Sequence, residues 1–559
     1  MTKSIMFLFA AFILSAATDE VLAQETQMGK RARYVRIHHR EAVVYPNIRV
    51  YPSARTQTEV PIITHPLNPD IVLASANAVP PNGAFSTARL GFYYTTDGGI
   101  TWSGRDTLPA YPARTSYDPV VAIDLNGNFF VGGVYRGGWE FIVAKSSDNG
   151  TTWGQTTVPT LIVEEDKPHM IVDVNQGSQF ENYVYVGLTN TSASPWPVMF
   201  SRSTDGGANF STAVLISGSV VGTSGALGVN LAVGPDGALY TTWSAFSRWL
   251  PLATDTIQLG FNKSTDGGAT WQGAQSILRL RTLPWTTTKG GNCIRLATSF
   301  PSMAVDRSSG PRSGWVYITY PSGTATRPDI FLIRSTDGGS FWSAPVKVNQ
   351  DTSNNDQWQP WITVDPSNGN LFVVYYDSRN FPANDSAEVY ISASTDGGET
   401  FADILVSDAP FLPRASGWAG DVCYMGDYIG ISALNGVVWP LWSDNRTGIH
   451  QAYTCRIEFP PTSVREVLSE VPAAFALAQN FPNPFNPVTT IQFSLPRSEF
   501  VTLKIFNILG EEIAVLVEKR LSAGTHEGEW AALGLPSGVY FYRLQAGSFI
   551  QTRKLVLLR

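Results

Sequence analysis

Cysteine is scarce: 559 residues contain three, Cys293, Cys423 and Cys455. At most one internal disulfide can form, so no disulfide framework holds this fold together. The spacing of the three matches no zinc motif, and six histidines, including the pair His38-His39, add no metal-ligand pattern. Charge is thin as well, at 15% of residues where about a quarter is usual. The net formal charge of −7 argues against nucleic acid as a partner. There is no G-x-S-x-G, no H-E-x-x-H and no phosphate-binding glycine loop. Long apolar runs are missing from all but the N-terminus, so the mature chain has no candidate transmembrane segment. The one such run, Ser4 to Ala17, follows Lys3 and leads to Val21-x-Ala23, which reads as a secretory signal over residues 1–23. An uncleaved anchor is the alternative. Removing it takes away one lysine and two acids and leaves a net charge of −6.

What is plentiful is glycine and aromatic residues: 49 Gly, 16 Trp, 21 Tyr and 29 Phe. That balance fits exposed turns between aromatic-packed strands, an all-β class. An octapeptide, STDGGATW at Ser264 to Trp271, has five near-copies, and the six aspartates fall at Asp97, Asp148, Asp205, Asp266, Asp337 and Asp396. The interval is about one four-stranded sheet, the period of a β-propeller. Alternating strands flank each copy, as in AEVYISAS and ADILVSD around Ser394. A turn between them needs positive φ and a side chain that bonds nearby N–H groups, which Gly and Asp supply, while the closing Trp or Phe wedges between sheets. The six aspartates are therefore expected to be structural.

The pattern S-x-D-x-G-x-x-W resembles the Asp-box of the sialidase-like propeller superfamily over roughly residues 34–459. The resemblance implies that each box sits between the third and fourth strands, on the face opposite the ligand site. A second repeat, shaped like YDPVVAID..GNFFVGGVY from Tyr117, recurs seven times and predicts seven blades, with six as the alternative. The last unit lacks a box and a fourth strand; a strand near Asn47 to Tyr51 is expected to complete it and close the ring.

Residues 460–473 read as a linker. Beyond it, VTLKIF and VYFYRL alternate as half-buried strands do, so residues 474–559 predict a small immunoglobulin-like β-sandwich. NFPNPFNPVTTI, the GEEI turn, SGVYFYRL and the basic, apolar terminus resemble the C-terminal sorting domain of type IX secretion substrates. This implies the type IX machinery as a partner and a secreted or outer-surface location, reached through the periplasm and outer membrane. The alternative is a binding module.

Propeller ligands usually meet the loops that enter innermost strands or join second to third strands. Those loops carry Arg136, Trp139, Trp196, Arg248, Trp249, Arg327, Trp358, Arg379, Trp418 and Arg446, with Tyr135 and Trp285 nearby. Flat rings and guanidinium forks suit sugars and carboxylates; the competing reading is that each Trp plugs a loop and each Arg pairs locally. Glu59, Asp118, Asp166, Asp356 and Asp427 precede or begin innermost strands, placing them at the channel mouth. They could bind Ca²⁺, supply an acid/base pair, or cap backbone N–H groups between blades.

Sialidase resemblance would imply a Tyr nucleophile activated by Glu, an Asp acid/base and three Arg on the substrate carboxylate, with Arg379 and Arg446 as two clamps. The family's Arg-Ile-Pro is missing; the nearest strings are VRIHH and NIRVYP. The leading expectation is an exported propeller that binds glycans or another extracellular polymer on its loop face. An exo-acting glycosidase of sialidase type and a protein-interaction scaffold are the alternatives.

Overall fold

The computed structural model describes residues 32–558 apart from 38–39, 82, 84, 111–114, 137–139, 160–164, 249–254, 290–291, 297–298, 325–326, 415–423, 460–463, 468–471 and 533–534. Among the described residues regular structure is all strand, save a 3-10 turn at Phe85–Thr87. The chain divides into two compact units, one over Pro46–Arg456 and one joining Arg31–Tyr45 to Ile457–Arg559. Arg33–Ile37 pairs with Arg40–Val44, and Val43 and Val44 pair with Glu458 and Ile457, so this early hairpin folds with the C-terminal unit.

Pro46–Arg456 forms antiparallel sheets in chain order, each a meander from an innermost to an outermost strand. The innermost strands are Ile62–His65 (continuing Thr56–Thr58), Ser116–Ile123, Glu165–Val172, Gly225–Val233, Ser302–Val305, Gln357–Val364 and Gly430–Leu434. They touch in cyclic order, the last against the first. The final sheet takes its outermost strand from the other end of the unit, where Ile48 and Arg49 pair with Thr454 and Tyr453. Asn47 locks that strand in place: its amide donates to Val406 O at 3.0 Å and accepts from Asp408 N at 2.7 Å. Radial repetition of this kind leaves only short edges at the outermost strands.

The six repeated turns share one bonding scheme. In each, the leading Ser or Thr hydroxyl donates to the Asp carboxylate, and the N–H of the second Gly donates back to that hydroxyl. Asp266 also accepts from Thr270 N at 2.8 Å and Thr270 Oγ1 at 2.6 Å. Burial is the largest single influence and pushes the carboxyl up, but these donors together outweigh it and hold Asp266 down to about 2. The closing Trp then packs edge-on against the previous blade, Trp271 on Phe200 at 4.9 Å and Trp342 on Phe261 at 5.2 Å. Pairing of Asp166 with Thr189, and of Val172 with Val184 and Val184 with Ser203, sets the turns and the starts of the innermost strands at opposite ends of the sheet.

The C-terminal unit stacks two antiparallel sheets. Val464–Val467, Gly524–Ala531, Val488–Leu495 and Ala476–Leu477 form one; Glu512–Leu521, Glu499–Phe506, Gly538–Ala546 and Phe549–Leu557 form the other. In VTTIQFSL alternate residues are buried, and Ile491, Phe493 and Leu495 meet Val501, Leu503, Tyr542 and Leu544 in one core.

A Cβ on Gly339, the second Gly of the fifth turn, would lie 2.4 Å from the Phe261 ring, whereas one on Gly314 would meet nothing within 4 Å. Both residues have positive φ. Gly339→Ala is therefore expected to destabilise by about 1–3 kcal/mol more than Gly314→Ala, the difference being overpacking. Chemical denaturation of the two variants measures it; equal costs would contradict the wedge. Asp266→Ala should lower the denaturation midpoint in the same assay.

Candidate functional site

Each innermost strand is an edge strand facing the axis, so N–H groups on that edge find no partner in their own sheet. A side chain of the preceding blade or its neighbouring strand fills the need. Asp118 N donates to Asn77 Oδ1 at 3.1 Å, Lys167 N to Asp118 Oδ2 at 3.1 Å, Leu231 N to His169 Nδ1 at 3.0 Å, and Met303 N to Asn230 Oδ1 at 3.1 Å. Ile362 N donates to Ser302 Oγ at 3.1 Å and Thr64 N to Ser432 Oγ at 2.9 Å. At the remaining junction Gln359 Nε2 donates to Gly426 O at 2.9 Å.

Near their starts these strands carry a bulge with a left-handed residue: Glu59 (φ 53), Asp118 (φ 55), Lys167 (φ 46), Gly228 (φ 72) and Gln359 (φ 51). The register slips at four of these places, between Gly132 and Val134, Asp166 and His169, Leu227 and Asn230, and Trp358 and Trp361. Left-handed Glu, Lys and Gln are uncommon, and such strain costs on the order of 1–3 kcal/mol each unless neighbours enforce it. Pro follows three of the five.

The bulges bring Glu59, Asp118, Asp166 and Asp427 around Lys167. Lys167 Nζ lies 2.8 Å from Asp427 Oδ2 and 3.1 Å from Glu59 Oε1, over the Tyr428 ring at 4.7 Å. Glu59 also accepts from Tyr424 Oη at 2.6 Å and Asn77 Nδ2 at 2.7 Å. Carboxyl–carboxyl hydrogen bonds link Glu59 to Asp118 and Asp118 to Asp166. Burial dominates the titration of the acids, pushing Glu59 up to about 8 and Asp118 up to about 7 against the opposing pull of Lys167. Burial alone would lower Lys167, but the four carboxylates outweigh it and raise it. The cluster therefore holds a lysine ammonium and shared carboxyl protons at neutral pH.

Of the five acids expected at the mouth, four meet and Asp356 does not. Asp356 pairs with Lys289 at 3.0 Å, on the inserted hairpin Thr286–Lys289/Asn292–Arg295. The Ca²⁺ expectation does not fit: Lys167 supplies the positive charge among the carboxylates, and no group of three His, Cys, Asp or Glu among the described residues is arranged to hold a metal.

The loop residues separate into two classes. Trp358 is completely buried and packs on Tyr376 at 5.6 Å, so it offers no face to a ligand. Arg379 pairs with Asp377 at 2.6 Å and Asp403 at 2.7 Å above the Tyr390 ring. Arg446 pairs with Asp444 at 2.6 Å and with Asp408 above the Tyr453 ring. Both guanidinium groups that the sialidase alternative would set on a substrate carboxylate are thus neutralised by the protein's own. Arg136 and Arg327 are exposed, Arg248 is 59% exposed and 3.7 Å from Asp255, and Trp196 is half-buried. Trp139, Trp249 and Trp418 lie outside the described residues. Lys167, Tyr424 and Tyr428 were missed in the sequence; their signal was position, next to the repeated acids at the bulge.

A family model for a secretion system C-terminal sorting domain matches residues 479–558. This type IX tail marks the chain for secretion or the cell surface, and no helix among the described residues is long and apolar enough to cross a membrane. A search of curated proteins finds no match. Among solved structures, the chain is similar to a protein of unknown function from Dyadobacter fermentans (14% identity, 75% of this chain and 99% of that one, TM-score 0.41). It is also similar to the Hadza microbial sialidase Hz136 (14%, 69% and 76%, 0.38) and to the polysaccharide lyase Uly1 (9%, 77% and 93%, 0.42).

Because Glu59 is raised from 4.5 to about 8, its contribution to stability is full below pH 4.5 and is lost as pH rises through 8. Glu59→Gln keeps the uncharged form at every pH. The fall in Tm of the native chain across this window should flatten in the variant by about 2–4 °C. Parallel Tm–pH curves would show that Glu59 does not hold the proton.

Proposed function

We propose that the propeller binds an extracellular glycan, or a polymer of that kind, on the loop face around the channel mouth. One observation carries this reading: Arg136, Trp196, Arg248 and Arg327 stand at or beside the loops between second and third strands of four consecutive blades. They form a band along which an extended polymer meets planar groups in succession. Stacking and forked hydrogen bonds suit successive sugar rings and their oxygens, and a rigid ring presents the band without ordering cost. The sorting tail, which marks the chain for secretion or the cell surface, supports an extracellular partner.

The alternative is a glycosidase of sialidase type. It is favoured by the 2.6 Å contact between Tyr424 and Glu59, a hydroxyl beside a carboxyl. Against it stand Arg379 and Arg446, each consumed by two carboxylates.

The full chain is expected to bind members of a glycan array, and Arg136→Ala/Arg248→Ala/Arg327→Ala to lose at least about tenfold in affinity, roughly 1.4 kcal/mol. Retained binding in a folded triple variant would sink the band. On a sialoside panel no turnover is expected, and Arg379→Ala/Arg446→Ala should lower the Tm. Turnover abolished by Tyr424→Phe would favour the enzyme instead.

A further inference from the structure

Below the acid cluster a cavity of about 260 Å³ runs along the axis between the innermost strands. It is smaller than the usual drug-sized pocket of about 300–1,000 Å³, so its occupant is small. Val172, Val233, Val305 and Val364 make much of its wall aliphatic. The side-chain polarity of the rest follows from the bonds between blades. His169 spends Nδ1 on Leu231 N–H, and burial lowers its pKa to about 4, so the neutral ring carries its proton on Nε2. Asn230 spends Oδ1 on Met303 N–H and keeps its NH₂. These two residues and Trp361 line the cavity, and neither His169 Nε2, Asn230 Nδ2 nor the Trp361 indole nitrogen donates a hydrogen bond to a described residue.

Arg307 lines the same cavity at the end nearer the repeated turns, just after Ser302–Val305. After the corresponding strands of other blades stand Leu125, Val174, Pro235 and Pro366, so its charge is an exception in that ring. Its guanidinium makes no hydrogen bond or ion pair with a described residue. The Asp173 carboxylate acts on it electrostatically, and its oxygens accept hydrogen bonds from Asn175 and Ser178. Arg307 is half-buried, so this end of the cavity meets solvent.

We propose that the axial cavity binds a small organic carboxylate carrying a second oxygen acceptor, with Arg307 on the carboxylate and the inward N–H groups on the other oxygen. A partly desolvated guanidinium with no direct ion pair, beside side-chain donors without acceptors, is completed by such a ligand, and the aliphatic wall takes its body. The site is separate from the glycan band and does not depend on it.

Calorimetric titration of the full chain with 4-oxopentanoate, pentanoate and sulfate tests this. Oxopentanoate is expected to bind more tightly than pentanoate, and sulfate not to compete. Arg307→Gln should weaken both carboxylates about tenfold or more, the range of a charged hydrogen bond. Trp361→Phe, which keeps the ring against His169 but removes the N–H, should erase about fivefold of the oxopentanoate advantage and leave pentanoate unchanged. Sulfate binding as well as the carboxylates, carboxylate binding indifferent to Arg307→Gln, or no binding by any of the three would each overturn the assignment.

Discussion

Everything at the centre of the propeller depends on how the innermost strands satisfy the edge that faces the axis. A strand with no neighbour on that side leaves amide groups unpaired, and a buried unpaired amide costs about 1–3 kcal/mol. Here each blade lends a side chain to the next: Asp118 to Lys167, His169 to Leu231, Asn230 to Met303, Ser302 to Ile362, and Ser432 back to Thr64 across the closure. The ring is thus closed twice, once by the N-terminal strand at the rim and once by this chain of bonds at the hub.

The acid cluster at the mouth grows out of the same requirement. Asp118 faces inward because its carboxylate caps a backbone N–H, and the bulge that lets it do so turns Glu59 and Lys167 into the same space. Several carboxyls in one buried volume cannot all ionise, so protons are shared along Glu59, Asp118 and Asp166 while Lys167 answers Asp427. Structural capping and perturbed titration are therefore two descriptions of one arrangement. The strain at the left-handed residues is held in place by the ion pairs it creates.

Much of this was legible in the sequence, and the reason differs by feature. The repeated turns were readable because Asp, two Gly and Trp are each needed locally: two positive φ values, a carboxylate ringed by donors, and a ring that reaches the next sheet. The early strand at Asn47 was readable because the last unit lacks an outer strand. The site was less so. Repeat position assigned Asp356 to the mouth beside Glu59, but the hairpin after Trp285 brings Lys289 to it, and no local pattern encodes that reach. The local partners of Arg379 and Arg446 were readable, Asp377 and Asp444 two residues away, whereas Asp403 and Asp408, which also pair with them, are distant in sequence. The pairing of the hairpin Arg33–Val44 with Ile457–Glu458 was not readable, because the two are joined only by folding.

The hub also explains why the two ends of the axis differ in chemistry. Where a capping group is a carboxylate, as at Asp118, the mouth collects negative charge and draws in Lys167. Where it is a histidine or an asparagine, the accepting atom is spent on the neighbouring blade and only the donating atom remains for the axis. The inner wall passes from acids at the mouth to side-chain N–H groups and Arg307 below, with no rule needed beyond which side chain serves each junction. A substitution at His169 or Asn230 consequently cannot alter the cavity alone: it removes a donor from the wall and uncaps an amide of the next blade. Trp361 and Arg307 give no hydrogen bond to the junctions, so removing the indole N–H or the guanidinium alters the cavity without uncapping an amide of the ring.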